Sequence, residues 1–217
     1  MEPYLYALIS TFVPEHFEIL TFLAGGKLIK EERDNCTYAN GVLHSFDDKP
    51  AMIEANGTKK WYRNGKLHRE NDKPAIVNKN RTRYWYKNGQ LHRDGDLPAV
   101  NNKYGTKTWY KNGKLHRDGD LPAVINANGI RYWCKNGKKH RDGDLPAEIW
   151  KNGTQWWYKN GKMHRDGDLP AVISIDGTKE WYKNGKRHRD NNRPAEICPD
   201  GSQFWFKNGN QYFPYLN

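Results

Sequence analysis

The chain has 217 residues, of which only 36% are apolar, and a formal net charge of +11 from 36 Lys and Arg against 25 Asp and Glu. Its three cysteines, Cys36, Cys134 and Cys198, lie far apart with no C-x-x-C spacing, which excludes a disulfide or zinc framework and suits a reducing compartment. The positive balance favours an acidic partner such as nucleic acid, an anionic lipid surface or an acidic protein; the alternative is that it only keeps the chain soluble.

Residues 1–35 differ from the rest. Tyr4-Leu5, Leu8-Ile9 and Phe12-Val13, then Phe17, Ile19-Leu20 and Phe22-Leu23, recur at helical spacing, and Gly25-Gly26 ends the run. This predicts a short helical cap over the open end of the repeats that begin at residue 36. Pro14, Glu15, His16 and Glu18 break the run too often for a transmembrane segment. Glu2 stands where a secretory signal carries a base, so an intracellular protein is expected, not a secreted one.

From residue 36 to 217 one sentence of residues repeats every 24 positions, as in Trp109-Tyr110-Lys111-Asn112-Gly113-Lys114-Leu115-His116-Arg117-Asp118-Gly119-Asp120-Leu121-Pro122-Ala123-Val124. The tryptophans are Trp61, Trp85, Trp109, Trp133, Trp157, Trp181 and Trp205; a degenerate first copy has Thr37 in their place, and the last copy is truncated. Such self-similarity marks a stacked array whose units bury apolar surface only against their neighbours.

Each unit has two turn signals. One is Asn-Gly; the other varies, and Pro199-Asp200-Gly201 predicts a three-residue hairpin loop with Gly201 left-handed. Arg81 holds that left-handed position in one copy, a departure costing about 1 kcal/mol. Counting out from the loop sets Ile197 opposite Gln203 and Ala195 opposite Trp205. Alternation then groups Ala, Ile or Val, and Trp (Ala123, Ile125 and Trp133, for example) as the core face. The residue after Ala falls on the other face, which tolerates Glu148 and Glu196 and is therefore expected to be wet. Each unit is a hairpin followed by a link that offers a third strand over Lys-Leu-His-Arg. The fold class predicted is an all-β repeat array, an elongated, twisted, single-layer antiparallel meander advancing ~10–14 Å per unit.

The run W-Y-x-N-G-K-x-H-R resembles the MORN repeat, and more closely a variant array found in uncharacterised proteins of large DNA viruses of amoebae; the match covers about residues 36–213. Arg117 departs from the family's Gly after His, and Asp118–Pro122 lengthens the link. The resemblance implies a scaffold that dimerises, holds partner proteins in a groove and contacts acidic phospholipids, and a viral protein would sit in the host cytoplasm or the virion. Separately, Val13–Leu23 resembles the opening helix of an F-box, which implies a ubiquitin-ligase adaptor with the repeats as its partner-binding part.

Neither candidate chemistry in the repeat points to a metal. Equivalent histidines one unit apart cannot share an ion that needs nitrogens about 2.1 Å away. The Asp-Gly-Asp loops supply two carboxylates where calcium takes six to eight oxygens. A hydrogen bond from His116 to Asp118 or Asp120, and pairing of the loops with Arg93, Arg117, Arg141 or Arg165, fit better. No nucleophile–base set, phosphate loop or dinucleotide fingerprint occurs, so neither catalysis nor a cofactor is expected. The expected function is a non-enzymatic scaffold for a protein partner, or a virion structural component; the alternative is a basic ladder on nucleic acid or acidic lipid. The expected contact surface comprises Tyr62, Tyr86, Tyr110, Tyr158 and Tyr182 with Lys111, Lys114, His116, Arg117, Arg141 and Arg165. A homodimer is expected to cover the underburied face of a single-layer sheet.

Overall fold

The computed structural model describes residues 18–21 and 30–214. The chain divides into two compact units, Met1–Gln90 and Leu91–Asn217. No helix occurs among the described residues.

In the second unit, ten short strands follow one another antiparallel, from Val100–Asn101 and Lys107–Thr108 through Val124–Ile125 and Arg131–Tyr132 to Glu196–Ile197 and Gln203–Lys207. The register is the one read from the turn: Ile197 opposes Gln203. The loop closes as Cys198 N–H donates to Ser202 O (2.9 Å), and Gly201 has φ +85°. In the first unit Arg81 adopts φ 68° at the equivalent turn.

The link does form strands, but as a separate hairpin. Tyr110–Lys111 pairs with Lys114–Leu115 across Asn112 (φ 50°) and Gly113 (φ 76°), the two left-handed residues of a type I′ turn. The change of direction falls at tryptophan. Trp109 N–H donates to Ala123 O in the sheet (2.8 Å), while its carbonyl accepts from His116 N–H in the hairpin (3.2 Å). Each repeat thus contributes two strands to the sheet and two to a hairpin, and successive hairpins are tied by single bonds such as Gly137 N–H to Leu115 O (2.8 Å). The sheet is therefore not a bare single layer.

This second hairpin inverts the expected faces. Ala123 is fully buried, and Trp61, Trp85, Trp109, Trp133, Trp157 and Trp181 are 5–7% exposed. The residue after Ala is inside, not wet: Val172 is 0% exposed and Glu148 5%. Ile125 is only half-buried, on the face it shares with Lys107 and Arg131. Trp205 is also half-buried, because the residue eight places on is the exposed Phe213 where other copies carry an arginine lid.

The inside changes chemistry from copy to copy. Leu115 with Val124, and Met163 with Val172, are apolar pairs of positions; Lys139 with Glu148, and Arg187 with Glu196, are ion pairs at 2.5 and 2.7 Å. Trp150 Nε1 also donates to Glu148 (2.5 Å), so the buried carboxylate has two partners. Burial works against the Lys139 charge, yet the hydrogen bond to Glu148 outweighs it and the ammonium pKa lies above its ordinary value.

In the first unit, the degenerate copy keeps register: Thr37 N–H donates to Ala51 O (2.8 Å), as Trp does elsewhere. Upstream of it, Lys30–Arg33 pairs with Cys36–Ala39, so sheet structure begins before residue 36. Within the segment expected to be a helical cap, Glu18–Thr21 is a strand paired with Lys30–Arg33, with an irregularity between Ile19 and Thr21. A strand satisfies the open N–H and C=O groups of a sheet edge, which a helix laid across it cannot do. The rest of that segment, including most of the F-box-like run, lies outside the described residues.

Candidate interaction surface

The link Asp-Gly-Asp-Leu-Pro is built by left-handed backbone at Gly119 (φ 75°) and Asp120 (φ 51°), which turns the chain back toward the next sheet strand. Three clamps join successive links. The guanidinium of Arg141 forms a bidentate pair with Asp120 of the preceding repeat (Nε–Oδ1 2.7 Å, Nη2–Oδ2 2.8 Å) and donates to Pro146 O (3.3 Å). The same group lies 4.0 Å from the centroid of Trp133, whose Nε1 donates to Asp120 O (3.1 Å). Arg117, Arg165 and Arg189 repeat the pattern on Asp96, Asp144 and Asp168, and Arg69 does so on Asp48 in the first unit. These arginines are charged lids on tryptophan, with side chains only 13–15% exposed.

Histidine reaches the other way. His116 Nδ1 accepts from Asn136 N–H of the following repeat (3.2 Å), so its proton sits on Nε2 and is donated to Asp118 (2.8 Å). Lys111 Nζ binds the other Asp118 oxygen (2.9 Å). His92, His140, His164 and His188 make the same two bonds. No group of three or more potential metal ligands occurs among the described residues.

Most of the contact surface expected from sequence is therefore occupied. Arg117, Arg141, Arg165 and His116 hold repeats together, and Lys111 is ion-paired. Tyr62, Tyr86, Tyr110, Tyr158 and Tyr182 are half-buried. Burial raises the phenol pKa of Tyr110, Tyr158 and Tyr182, and Lys139 Nζ sits 4.9 Å from the Tyr158 ring centroid. Cys134, in the tyrosine slot, is buried, and burial pushes its thiol up. Of the named residues, Lys114 remains fully exposed.

What the repeat pattern did not single out is a row of leucines. Leu97, Leu121, Leu145 and Leu169 are 42–43% exposed at the same link position. Four grooves of 450, 470, 250 and 280 Å³ lie between successive links from His92 to Arg193, walled by Leu121 and Leu145 (among others), the Trp-Arg stacks and the link aspartates. The row has ends: Lys49, Lys73 and Arg193 occupy the leucine slot elsewhere, and Lys73 and Arg193 each pair with a link aspartate at 2.6 Å.

The link carboxylates also set an acid limit. Asp118 and Asp190 are held below the ordinary range first by their histidine hydrogen bond and then by lysine, Asp190 at about 2; in Asp142 and Asp166 lysine leads. Asp96, Asp120, Asp144 and Asp168 are lowered first by their arginine. A folded pKa below the unfolded value of about 3.9 means stability is present above that value and is lost as pH falls through the folded one. The thermal midpoint, followed by circular dichroism, is thus expected to fall below about pH 4. Each exposed pair contributes little, so a midpoint unchanged down to pH 2.5 would mean the clamps act through packing alone.

No protein-family model matches the chain, no curated protein is significantly similar to it, and no solved structure matches it. No helix among the described residues is long and apolar enough to cross a membrane.

Proposed function

We propose that the chain is a non-catalytic, MORN-like interaction scaffold, intracellular or carried in a virion, that holds an extended segment of another protein along the leucine-lined grooves of residues 92–193. The observation that carries this reading is the row Leu97, Leu121, Leu145 and Leu169, exposed in four consecutive copies and replaced by Lys or Arg in the copies outside it. Exposed apolar groups at a fixed spacing, each beside a groove, suit a partner that offers apolar side chains in sequence. Around them the charges are already balanced by the Arg-Asp and Lys-Asp pairs, so a bound chain need not neutralise them. A net charge of +11 disfavours a second copy as the occupant.

The test replaces all four leucines by lysine, the residue the fold already accepts at Lys73. Proteins cross-linked to the wild-type chain in its native source are identified, and their purified binding is measured against the variant. The expected result is a loss of at least tenfold in affinity with an unchanged thermal midpoint. Unaltered binding would overturn the reading. A concentration-dependent dimer that the variant abolishes would assign the grooves to self-association instead.

A further inference from the structure

On the hairpin side of each repeat, the type I′ turn leaves lysine as its fourth residue. Lys114, Lys138, Lys162 and Lys186 occupy this slot in four consecutive copies, and all are exposed. Their stems lie against the glycine of the next turn: a Cβ built on Gly137, Gly161, Gly185 or Gly209 would sit 3.5–3.8 Å from the Cβ of the preceding lysine. Glycine is required there by its left-handed φ of 85–92°, and its bare α-carbon also lets the turns stack so closely. The four ammonium groups therefore follow one another along a single ridge. Among the described residues none of them has an ion-pair partner, whereas the lysine at the other end of each turn (Lys111, Lys135, Lys159 and Lys183) is paired with a link aspartate. No carboxylate stands in this slot or in the Asn-Gly pair beside it in any copy. The ridge is thus the place where the chain's excess positive charge is left uncompensated in a line.

We propose that this ridge contacts the phosphodiester backbone of a nucleic-acid duplex. Two strands per repeat at about 4.8 Å place successive lysines ~10 Å apart and the four of them over ~30 Å, close to the rise of ten base pairs. A line of compact, freely rotating ammonium groups binds a linear polyanion without reading its bases. A single strand is disfavoured because the tyrosines that would stack on bases are half-buried between hairpin and sheet. A bilayer is disfavoured because the turns carry no apolar side chain to insert; their tips are Asn and Gly. The ridge lies outside the leucine grooves, none of which any of the four lysines lines, so it is independent of the partner proposed for them.

The experiment measures binding of a fluorescein-labelled 20-base-pair DNA duplex by anisotropy between 50 and 200 mM salt. The variants are Lys114→Gln, Lys138→Gln, Lys162→Gln and Lys186→Gln combined, and a control with Lys107→Gln, Arg131→Gln and Lys179→Gln on the sheet. Both sets are structurally conservative, since Gln90 and Gln155 already hold those two slots. Four phosphate contacts should make wild-type affinity fall on the order of 10²-fold over that salt range. The ridge variant should lose at least tenfold at 50 mM and show a shallower slope, and the sheet control should lose less than threefold. Equal losses in both variants would mean diffuse attraction by net charge and would overturn the ridge. So would absence of duplex binding at 50 mM, tighter binding of a single strand of equal length, or binding to phosphatidylserine vesicles alone.

Discussion

Lys139→Leu is expected to destabilise the second unit by about 3 kcal/mol, although it replaces an exposed-looking charge with the residue found at Leu67, Leu91 and Leu115. The reason is what it leaves behind. Glu148 is 5% exposed, and without the ammonium at 2.5 Å its carboxylate keeps only Trp150 Nε1. A buried charge deprived of its partner loses Coulombic compensation but still bears its desolvation. Adding Glu148→Val restores the Leu115–Val124 combination of the neighbouring copy, and the double variant should regain wild-type stability or exceed it. Urea unfolding monitored by tryptophan fluorescence measures both. If the double variant proves as weak as the single one, the pair is not what fits these two positions to each other.

The second large effect is at the corner of the repeat. Trp133→Ala removes a buried indole, the surface on which Arg141 stacks, and the donor to Asp120 O, and should destabilise by about 3–5 kcal/mol. Trp133→Phe keeps most of the packing and loses the N–H, which should remove roughly 1–2 kcal/mol. Because each repeat touches only its neighbours, the damage should be local. Amide exchange is expected to accelerate between residues 112 and 147 while Trp181 N–H, bonded to Ala195 O, stays protected. Uniform loss of protection throughout residues 91–214 would show that this unit melts as one body and that nearest-neighbour contacts do not govern it.

How much of this was legible beforehand differs by level. Turn chemistry was: Pro199-Asp200-Gly201 and the Asn-Gly pairs specify local backbone, and the Ile197–Gln203 register followed by counting. The His116–Asp118 bond was also legible, being two residues apart. The faces were not, because alternation assumes an unbroken strand and the strand ends at each tryptophan, where the chain turns off into a second hairpin. That turn puts Val124, Glu148 and Val172 inside and leaves Ile125 nearer the water. Glu148 and Glu196 looked like marks of a wet face, yet the signal that they were buried was present: Lys139 and Arg187 replace leucine and methionine in those copies and in no others. The leucine row was visible as a repeat but not as exposed, since apolar residues in a periodic motif are usually core. Arginine and histidine looked available for partners because the residues that occupy them, Asp96 for Arg117 and Asn136 for His116, lie about one period away in sequence.

The clamps have a direction, arginine reaching one copy back and histidine one copy forward. Any copy in the middle is therefore held by the same bonds whichever copies flank it. A deletion or duplication of 24 codons within residues 92–193 would rejoin Arg to Asp and His to Asn with no orphaned group, whereas an edit of 12 would strand both. A gene of this kind can change length by recombination between its own copies, adding or removing a groove and a ridge lysine together while every junction stays intact.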